Sequence, residues 1–190
     1  MADSGTNGGG KDTKQETTNL YCNMERAFGE YAFWTREMLV FVVSGVNGRT
    51  EVIEKYKKIP DNIASGFKDY YGVSICNGIK TLYYEQALLM IELARAYTYE
   101  NAVLYDGTIM RLERNNADLA AYFFTVNPIY DEAKTRGFLQ QNVGDTVAQI
   151  HRRFRGEFDG EIASFDSAYG NIIGLADYIA DNIVKTEISV

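Results

Sequence analysis

The chain has 190 residues, of which 46% are hydrophobic, and it carries a formal net charge of −7 at pH 7. That length can bury enough apolar surface for one domain, and the acidic balance argues against binding to nucleic-acid phosphates or to an anionic membrane surface. The most apolar run, Met38 to Val43, is too short to span a bilayer. The two cysteines, Cys22 and Cys76, have no metal-ligand spacing and favour reduced thiols in the cytoplasm.

Residues 1–15 are small or polar without apolar spacing, which predicts a disordered tail and no secretory leader. Residues 16–190 are predicted to form a single helical-bundle domain. Its first helix is expected from near Glu16 to Val46, and Asn47-Gly48 supplies a left-handed stop. The apolar residues of that helix recur at steps of three and four: Leu20, Met24, Ala27, Tyr31, Trp34, Met38 and Phe41.

Two short helices are predicted next. Thr50 is expected to cap the first, which runs through Tyr56, and Pro60 suits the first turn of the second, which ends at Tyr71-Gly72. Ser74 is expected to cap a long helix that keeps the helical period of apolar residues to about Tyr99.

Three further helical patterns complete the chain. The first runs from about Leu104 to Asn127-Pro128, with Gly107 weakening its early part. The others run from Asp131 to Arg155, with weak points at Gly137 and Gly144, and from about Glu161 to Lys185. No period-two strand pattern appears. The fold class predicted is therefore all-α, a helical bundle of about four long helices with short linking helices.

Motifs for common chemistries are incomplete. Gly8-Gly9-Gly10-Lys11 follows no strand, so it does not fit a phosphate-binding loop. The chain has one histidine, His151, beside Arg152 and Arg153, and it is interpreted as a surface side chain without an orienting partner. The basic run 151–155 is interpreted as a solvated helix end, with contact to a phosphate or an acidic partner as the alternative.

Carboxylates and tyrosines leave two further options open. Inward-facing carboxylates would make an acidic pocket or, through oxygen ligands alone, a Mg²⁺ or Ca²⁺ site; otherwise they are exposed or salt-bridged. The candidates are Glu30, Glu85, Glu92, Asp118, Glu161 and Asp166. Dense tyrosines are expected to ring the core edge, whereas an exposed tyrosine face would mark a protein interface. They are Tyr70, Tyr71, Tyr83, Tyr84, Tyr97, Tyr99 and Tyr105.

Short runs at matching spacings carry a resemblance over about residues 20–185. These are Trp34-Thr35-Arg36, Pro60-Asp61, Tyr71-Gly72, Asn127-Pro128 and Phe165-Asp166. They resemble a family of small all-helical proteins, mostly from spore-forming and related Gram-positive bacteria, with no established function. Members are often labelled acetylglutamate kinase, but that enzyme is an α/β fold with glycine-rich phosphate loops, which this chain lacks.

The resemblance also implies a candidate site. The family tends to carry three histidines, whose places by spacing are Tyr31, Gln86 and Asn142 in this chain, and these would converge with Glu161 and Asp166. Here neutral hydrogen-bonding groups replace all three, which fits a polar cluster that keeps its hydrogen bonds and lacks a metal. The predicted polar-pocket residues are Glu30, Tyr31, Gln86, Asn142, Glu161 and Asp166.

Five residues are predicted as structural anchors: Trp34, Arg36, Tyr71, Asn127 and Pro128. Trp34 and Arg36 are two apart on one helix, so they point in nearly opposite directions. Trp34 is expected to be mostly buried, and Arg36 is expected to reach out to a carboxylate or a helix end.

The absence of a complete catalytic set favours a non-enzymatic role. The main hypothesis is a cytoplasmic helical bundle that binds a partner or a small ligand through an inter-helix polar pocket, without cofactor, metal, nucleic acid or membrane. A second hypothesis is a carboxylate-based protein or enzyme that uses Mg²⁺ or Ca²⁺. A third is a structural or assembly protein, and self-association is left open by the tyrosine density.

Overall fold

The computed structural model describes residues 9–188, which form helices and no β-strand. The all-α prediction is therefore confirmed for this range, and residues 1–8 of the predicted tail lie outside it. The helices are α1 (Gly9–Val43), α2 (Arg49–Tyr56), α3 (Ile59–Ser65), α4 (Lys68–Thr98), α5 (Ala102–Val126), α6 (Glu132–Arg155) and α7 (Phe158–Ile183), followed by a π-helical segment, Val184–Ile188.

Five of these helices have 24 residues or more, where about four long helices were expected. α1 begins at Gly9, earlier than the predicted start near Glu16. The five long helices pack as a closed ring of neighbours in the order α1, α4, α5, α6, α7, and α6 also contacts α1 and α4. α2 packs on α1, and α3 packs on α1 and α4. Among the described residues, no helix is both long and apolar enough to cross a lipid bilayer.

Aromatic rings fill much of the space inside this ring of helices. Tyr31 meets Tyr83 edge to face, with ring centroids 5.9 Å apart, and stacks at 6.2 Å on Tyr56 of α2. Buried tyrosines remove a large apolar area from water, but each brings a hydroxyl that needs a partner in the interior. The fully buried aromatic residues are Tyr31, Tyr56, Tyr83, Tyr130, Phe28, Phe67 and Phe123.

Several helix ends agree with the sequence prediction. Pro60 lies in the first turn of α3. The Asp131 side chain accepts a hydrogen bond from the backbone N–H of Lys134 at the start of α6, and Gly156, with φ 74°, ends that helix. These ends depend on local backbone chemistry, so a short stretch of sequence suffices to predict them.

Other predicted ends are wrong. Thr50 does not cap α2, which begins at Arg49 after Gly48 in a left-handed conformation (φ 88°). Gly72, with non-helical φ 74° and ψ 174°, divides α4 into two helical stretches, and Ser74 lies at the start of the second, where a new helix was expected. The second short helix stops at Ser65, and α4 begins at Lys68. The break predicted at Gly72 is therefore present as a kink within α4.

Candidate functional site

The structure distributes the six predicted pocket residues over four places. Tyr31, Gln86 and Asn142 lie in the interior, and Glu161 is buried in an ion pair of its own. Glu30 is half-buried and lines a cleft at the surface, while Asp166 is exposed on α7. The interior cluster and the cleft that contains Glu30 are therefore separate candidates for a site.

A buried hydrogen-bond chain links three helices in the interior. The Tyr31 hydroxyl on α1 donates to Oε1 of Gln86 on α4 at 2.8 Å, and Nε2 of Gln86 donates to Oδ1 of Asn116 on α5 at 2.9 Å. Asn142 on α6 is 3% exposed and lies close enough to Tyr31 to favour the ionised form of its hydroxyl. The three positions that the resembled family gives to histidine therefore meet in one cluster.

Burial keeps the tyrosines of this cluster neutral. It raises the pKa of Tyr31 well above its usual value, with smaller contributions from Tyr56 and Tyr83. Burial likewise raises the pKa of Tyr56 to about 12 and raises the pKa of Tyr83. The cluster therefore presents neutral hydroxyls and amides at physiological pH, which are groups for hydrogen bonding and not for acid–base work.

Two polar atoms of this interior region have no hydrogen-bond partner among the described residues: the Tyr83 hydroxyl and Nδ2 of Asn142. Both are shielded from solvent, and an unpaired buried polar atom costs about 1–3 kcal/mol of stability. The cluster is therefore a polar part of the core that bulk solvent does not reach. The cleft that contains Glu30, in contrast, is open to solvent.

Glu161 forms the most buried ion pair on the described residues. Its carboxylate is 3% exposed, receives hydrogen bonds from Nε and Nη2 of Arg36 at 3.0 and 3.3 Å, and lies 3.5 Å from Nη2 of Arg153. Arg36 reaches a carboxylate as expected, but that carboxylate is buried. Trp34 is partly buried and packs against the core, as expected, with the Lys55 ammonium 5.4 Å from its ring centroid.

The remaining anchors tie the end of α5 to its surroundings. Nδ2 of Asn127 donates to the Thr186 hydroxyl at 3.0 Å, and its Oδ1 accepts from the backbone N–H of Ile129 at 3.1 Å. The Tyr71 hydroxyl lies 3.1 Å from that of Tyr130. Pro128 itself is exposed and closes the helix through its backbone. These residues hold the fold and contact no candidate site.

The cleft that contains Glu30 is the polar one. It has a volume of about 280 Å³ and lies between α1, α3 and the start of α4. Nδ2 of Asn62 donates to the Glu30 carboxylate at 2.7 Å, which fixes that carboxylate at the wall. Arg26 and Asp69 also line the cleft, and within the described residues neither forms an ion pair. The other lining residues are Leu20, Asn23, Ala27, Ser65, Gly66 and Tyr70.

Sequence reasoning missed a second cleft, around the single histidine. His151 is not a plain surface residue: its ring stacks on Tyr97 at 4.4 Å, and its Nε2 lies 2.9 Å from the Tyr105 hydroxyl. Burial lowers the pKa of His151, and the nearby positive charge of Arg155 lowers it further. The dense tyrosines on both sides of the turn at residues 99–101 were a signal, but only the packing of α6 shows which ring meets the histidine.

Within residues 9–188, no group of three or more His, Cys, Asp or Glu side chains is placed to hold a metal ion. The carboxylates proposed as oxygen ligands are instead separated: Glu92 pairs with Arg111, and Asp118 is exposed. The hypothesis of a Mg²⁺ or Ca²⁺ protein therefore has no candidate site in this part of the chain.

Comparison of the chain with protein-family models, with curated proteins and with solved structures gave no match.

Proposed function

We propose that this chain is a non-enzymatic, cytoplasmic helical-bundle protein that binds a small zwitterionic molecule of the α-amino acid class. The proposed site is the polar cleft between α1, α3 and α4. The observation that carries the proposal is the charge arrangement of this cleft, in which Arg26 and Asp69 face a shared space without an ion-pair partner among the described residues, beside the fixed carboxylate of Glu30.

Each charged group of an α-amino acid has a counterpart in this cleft. The planar guanidinium of Arg26 suits a carboxylate, to which it can donate two parallel hydrogen bonds. The carboxylates of Glu30 and Asp69 suit an ammonium group. Oδ1 of Asn23 accepts a long hydrogen bond from Arg26 at 3.4 Å, and Nδ2 of Asn62 donates to Glu30. Nδ2 of Asn23 and Oδ1 of Asn62 therefore remain for the ligand's side chain. Because a zwitterion satisfies both signs of charge at once, it fits better than a simple anion or cation.

The cleft's size limits the ligand. One water in the liquid takes about 30 Å³, so a volume of 280 Å³ holds roughly nine non-hydrogen atoms. That is the size of an ordinary amino acid, and the volume lies just below the roughly 300–1,000 Å³ of typical ligand pockets.

The other parts of the proposal have separate support. Neither His151 nor a cysteine lines the cleft, and the proposed role there is binding through charge contacts and hydrogen bonds. Cys22 and Cys76 are both free thiols, which supports the cytoplasm as the compartment. The kinship with the Gram-positive family remains part of the proposal, and the meeting of Tyr31, Gln86 and Asn142 in one cluster supports it.

Isothermal titration calorimetry tests the proposal with the standard L-amino acids as probes. At least one should bind, and its N-acetyl and methyl-ester derivatives should each bind about tenfold more weakly or worse, because each derivative loses one charged contact. Arg26→Gln should weaken the amino acid by a similar factor but should weaken the methyl ester much less, since the ester has no carboxylate to lose.

Arg114→Gln is the matched control, because Arg114 is exposed on α5 and does not line the cleft. It should leave binding unchanged. The proposal is wrong if no amino acid binds at millimolar concentration, or if Arg26→Gln and Arg114→Gln have the same effect. Far-ultraviolet circular dichroism confirms that each variant keeps its helical content.

A further inference from the structure

The cleft around His151 is a second candidate binding site, and its lining is more apolar than that of the cleft that contains Glu30. It has a volume of about 460 Å³ and lies where the turn between α4 and α5 meets the last turn of α6. Its exposed lining is mostly apolar and includes the rings of Tyr97, Tyr105, His151 and Phe154. A largely apolar cleft with a few placed polar groups is the usual form of a site for a small organic molecule.

The rings of this cleft hold one another in place. The Tyr97 ring stacks on His151, with centroids 4.4 Å apart, and forms a T-shaped pair with Phe154 at 5.2 Å and an interplanar angle of 87°. The Tyr105 hydroxyl, 2.9 Å from Nε2, fixes the orientation of the imidazole. Phe154 remains 45% exposed, so part of an aromatic surface is left for a ligand.

Charge at the cleft's rim favours an anion. The chain has a net charge of −7, yet its basic run of residues 151–155 lies at this end of α6. The Arg152 guanidinium donates to the Gly160 carbonyl oxygen and to the Ser164 hydroxyl, which are both neutral. Arg155 lines the cleft and has only a long contact, 3.9 Å, with Glu157. Arg153 of the same run is paired with Glu161, so the positive charge that lacks a close carboxylate at this rim is that of Arg152 and Arg155.

We propose that this aromatic cleft binds a flat aromatic molecule that carries a carboxylate or a similar anionic group. The ring lies against Phe154 and the Tyr97–His151 stack, and the anionic group faces Arg155. The volume corresponds to roughly fifteen non-hydrogen atoms, enough for two fused rings and a carboxylate. Glu100 is the one carboxylate in the lining, and it opposes such a ligand.

The single histidine makes this proposal simple to test, because the imidazole Cε1–H of His151 gives one resonance in the spectrum of the full chain. The probes are 2-naphthoate and the neutral 2-naphthalenemethanol. Naphthoate should shift that resonance at saturable, submillimolar concentrations. It should also raise the pKa of His151, because a carboxylate beside the ring stabilises the imidazolium and offsets Arg155. Naphthalenemethanol should bind more weakly and should not raise the pKa.

Variants separate the ring contact from the charge contact. Arg155→Gln should weaken naphthoate several-fold and leave naphthalenemethanol within twofold, whereas Phe154→Ala should weaken both. Glu100→Gln should tighten naphthoate, since a repulsive charge is removed. Arg136→Gln, an exposed arginine elsewhere on α6, is the matched control and should change neither.

Three results would overturn the proposal: a His151 resonance that does not move with naphthoate, equal binding of the two probes with equal effects on the His151 pKa, or an Arg155→Gln effect no larger than that of Arg136→Gln. Circular dichroism of each variant shows that a loss of binding is not a loss of fold.

Discussion

The Glu161 carboxylate shows what a helix-phase argument leaves out. The sequence correctly places Trp34 and Arg36 on different sides of α1, but it cannot show that α7 brings a buried carboxylate to the arginine. Arg36 is 26% exposed and Glu161 is 3% exposed, so the charge pair lies at the edge of the core. The aliphatic stem of an arginine can be buried while its charged end meets a partner, and the alternation of apolar residues does not reveal this.

Glu161→Gln should lower the free energy of unfolding by roughly 3 kcal/mol, because it leaves Arg36 and Arg153 without their shared carboxylate in a largely dry site. Glu157→Gln is the control: its partner Arg155 is 3.9 Å away and both side chains are more than half exposed, so the loss should be under about 1 kcal/mol. Urea denaturation measures both. Equal losses would mean that Glu161 is solvated and that its ion pair contributes little.

The interior cluster offers a second residue-level test. Tyr31→Phe should cost about 1–3 kcal/mol, since it leaves Oε1 of Gln86 buried without the Tyr31 donor. Tyr83→Phe removes a hydroxyl that has no partner among the described residues, and should be neutral or stabilising. The two variants delete the same atom from neighbouring buried rings, so they are matched. A Tyr83→Phe loss as large as that of Tyr31→Phe would contradict the view that the Tyr83 hydroxyl is unpaired.

At the scale of elements, the close approach of α4 and α5 depends on one glycine. A Cβ atom at Gly78 would overlap the ring and hydroxyl of Tyr122, whereas a Cβ atom at Gly107 would meet nothing within 4 Å. Gly107 was expected to weaken the start of its helix, but α5 runs unbroken from Ala102. The same holds for Gly137 and Gly144, which lie inside a continuous α6. A glycine inside a helix can therefore be required by a close neighbour or be replaceable by alanine, and only the packing around it distinguishes the two cases.

Gly78→Ala should cost about 1–3 kcal/mol through overpacking, while Gly107→Ala should stabilise by about 0.5–1 kcal/mol through its better helix propensity. Thermal and urea denaturation measure both effects. In a Tyr122→Ala background, Gly78→Ala should lose its cost, because the overlapping ring is gone. A cost that persists in that background would show that the glycine has a different role.

The helix ends show how far local sequence reaches. Pro60 and Asp131 were predicted correctly because an N-terminal proline and a capping carboxylate act within one turn. Thr50 failed as a cap because Gly48 adopts a left-handed conformation directly before α2. The break expected at Gly72 is present, since its non-helical backbone separates two helical stretches of α4. Gly48 and Gly72 both have positive φ, a conformation that glycine adopts easily but need not adopt, so the residue type alone does not predict it.

At the scale of the whole molecule, the candidate sites could not be predicted from the sequence, for a physical reason. Periodicity shows which face of each helix is apolar, but it leaves open which faces meet across the bundle. The grouping of Tyr31, Gln86 and Asn142 came from the resemblance and not from spacing. The polar cleft joins Arg26 on α1 to Asp69 on α4, and these residues share a surface only because α3 and the start of α4 pack beside α1.

The buried tyrosines should make the whole fold less stable at alkaline pH. An unfolded tyrosine loses its proton near pH 10, while burial raises the pKa of Tyr56 to about 12 and also raises those of Tyr31 and Tyr83. Between these values the unfolded state binds fewer protons than the folded state, so the free energy of unfolding falls as pH rises. Each buried tyrosine should contribute a slope of up to about 1.4 kcal/mol per pH unit.

Urea denaturation between pH 8 and pH 12 checks this slope, with Tyr56→Phe as the variant that should reduce it. A free energy of unfolding that stays constant above pH 10 would mean that these hydroxyls are as free to ionise in the folded protein as in the unfolded one.

The most direct test of the central claim is chemical-shift mapping of the full-length, ¹⁵N-labelled protein with the L-amino acid that binds most tightly. The account predicts saturable shifts of backbone amides around the polar cleft, at Asn23, Asn62 and Asp69 and their neighbours, with the amides of Gln86 and Asn142 less affected. Shifts confined to another surface, or no saturable shift with any amino acid, would contradict it.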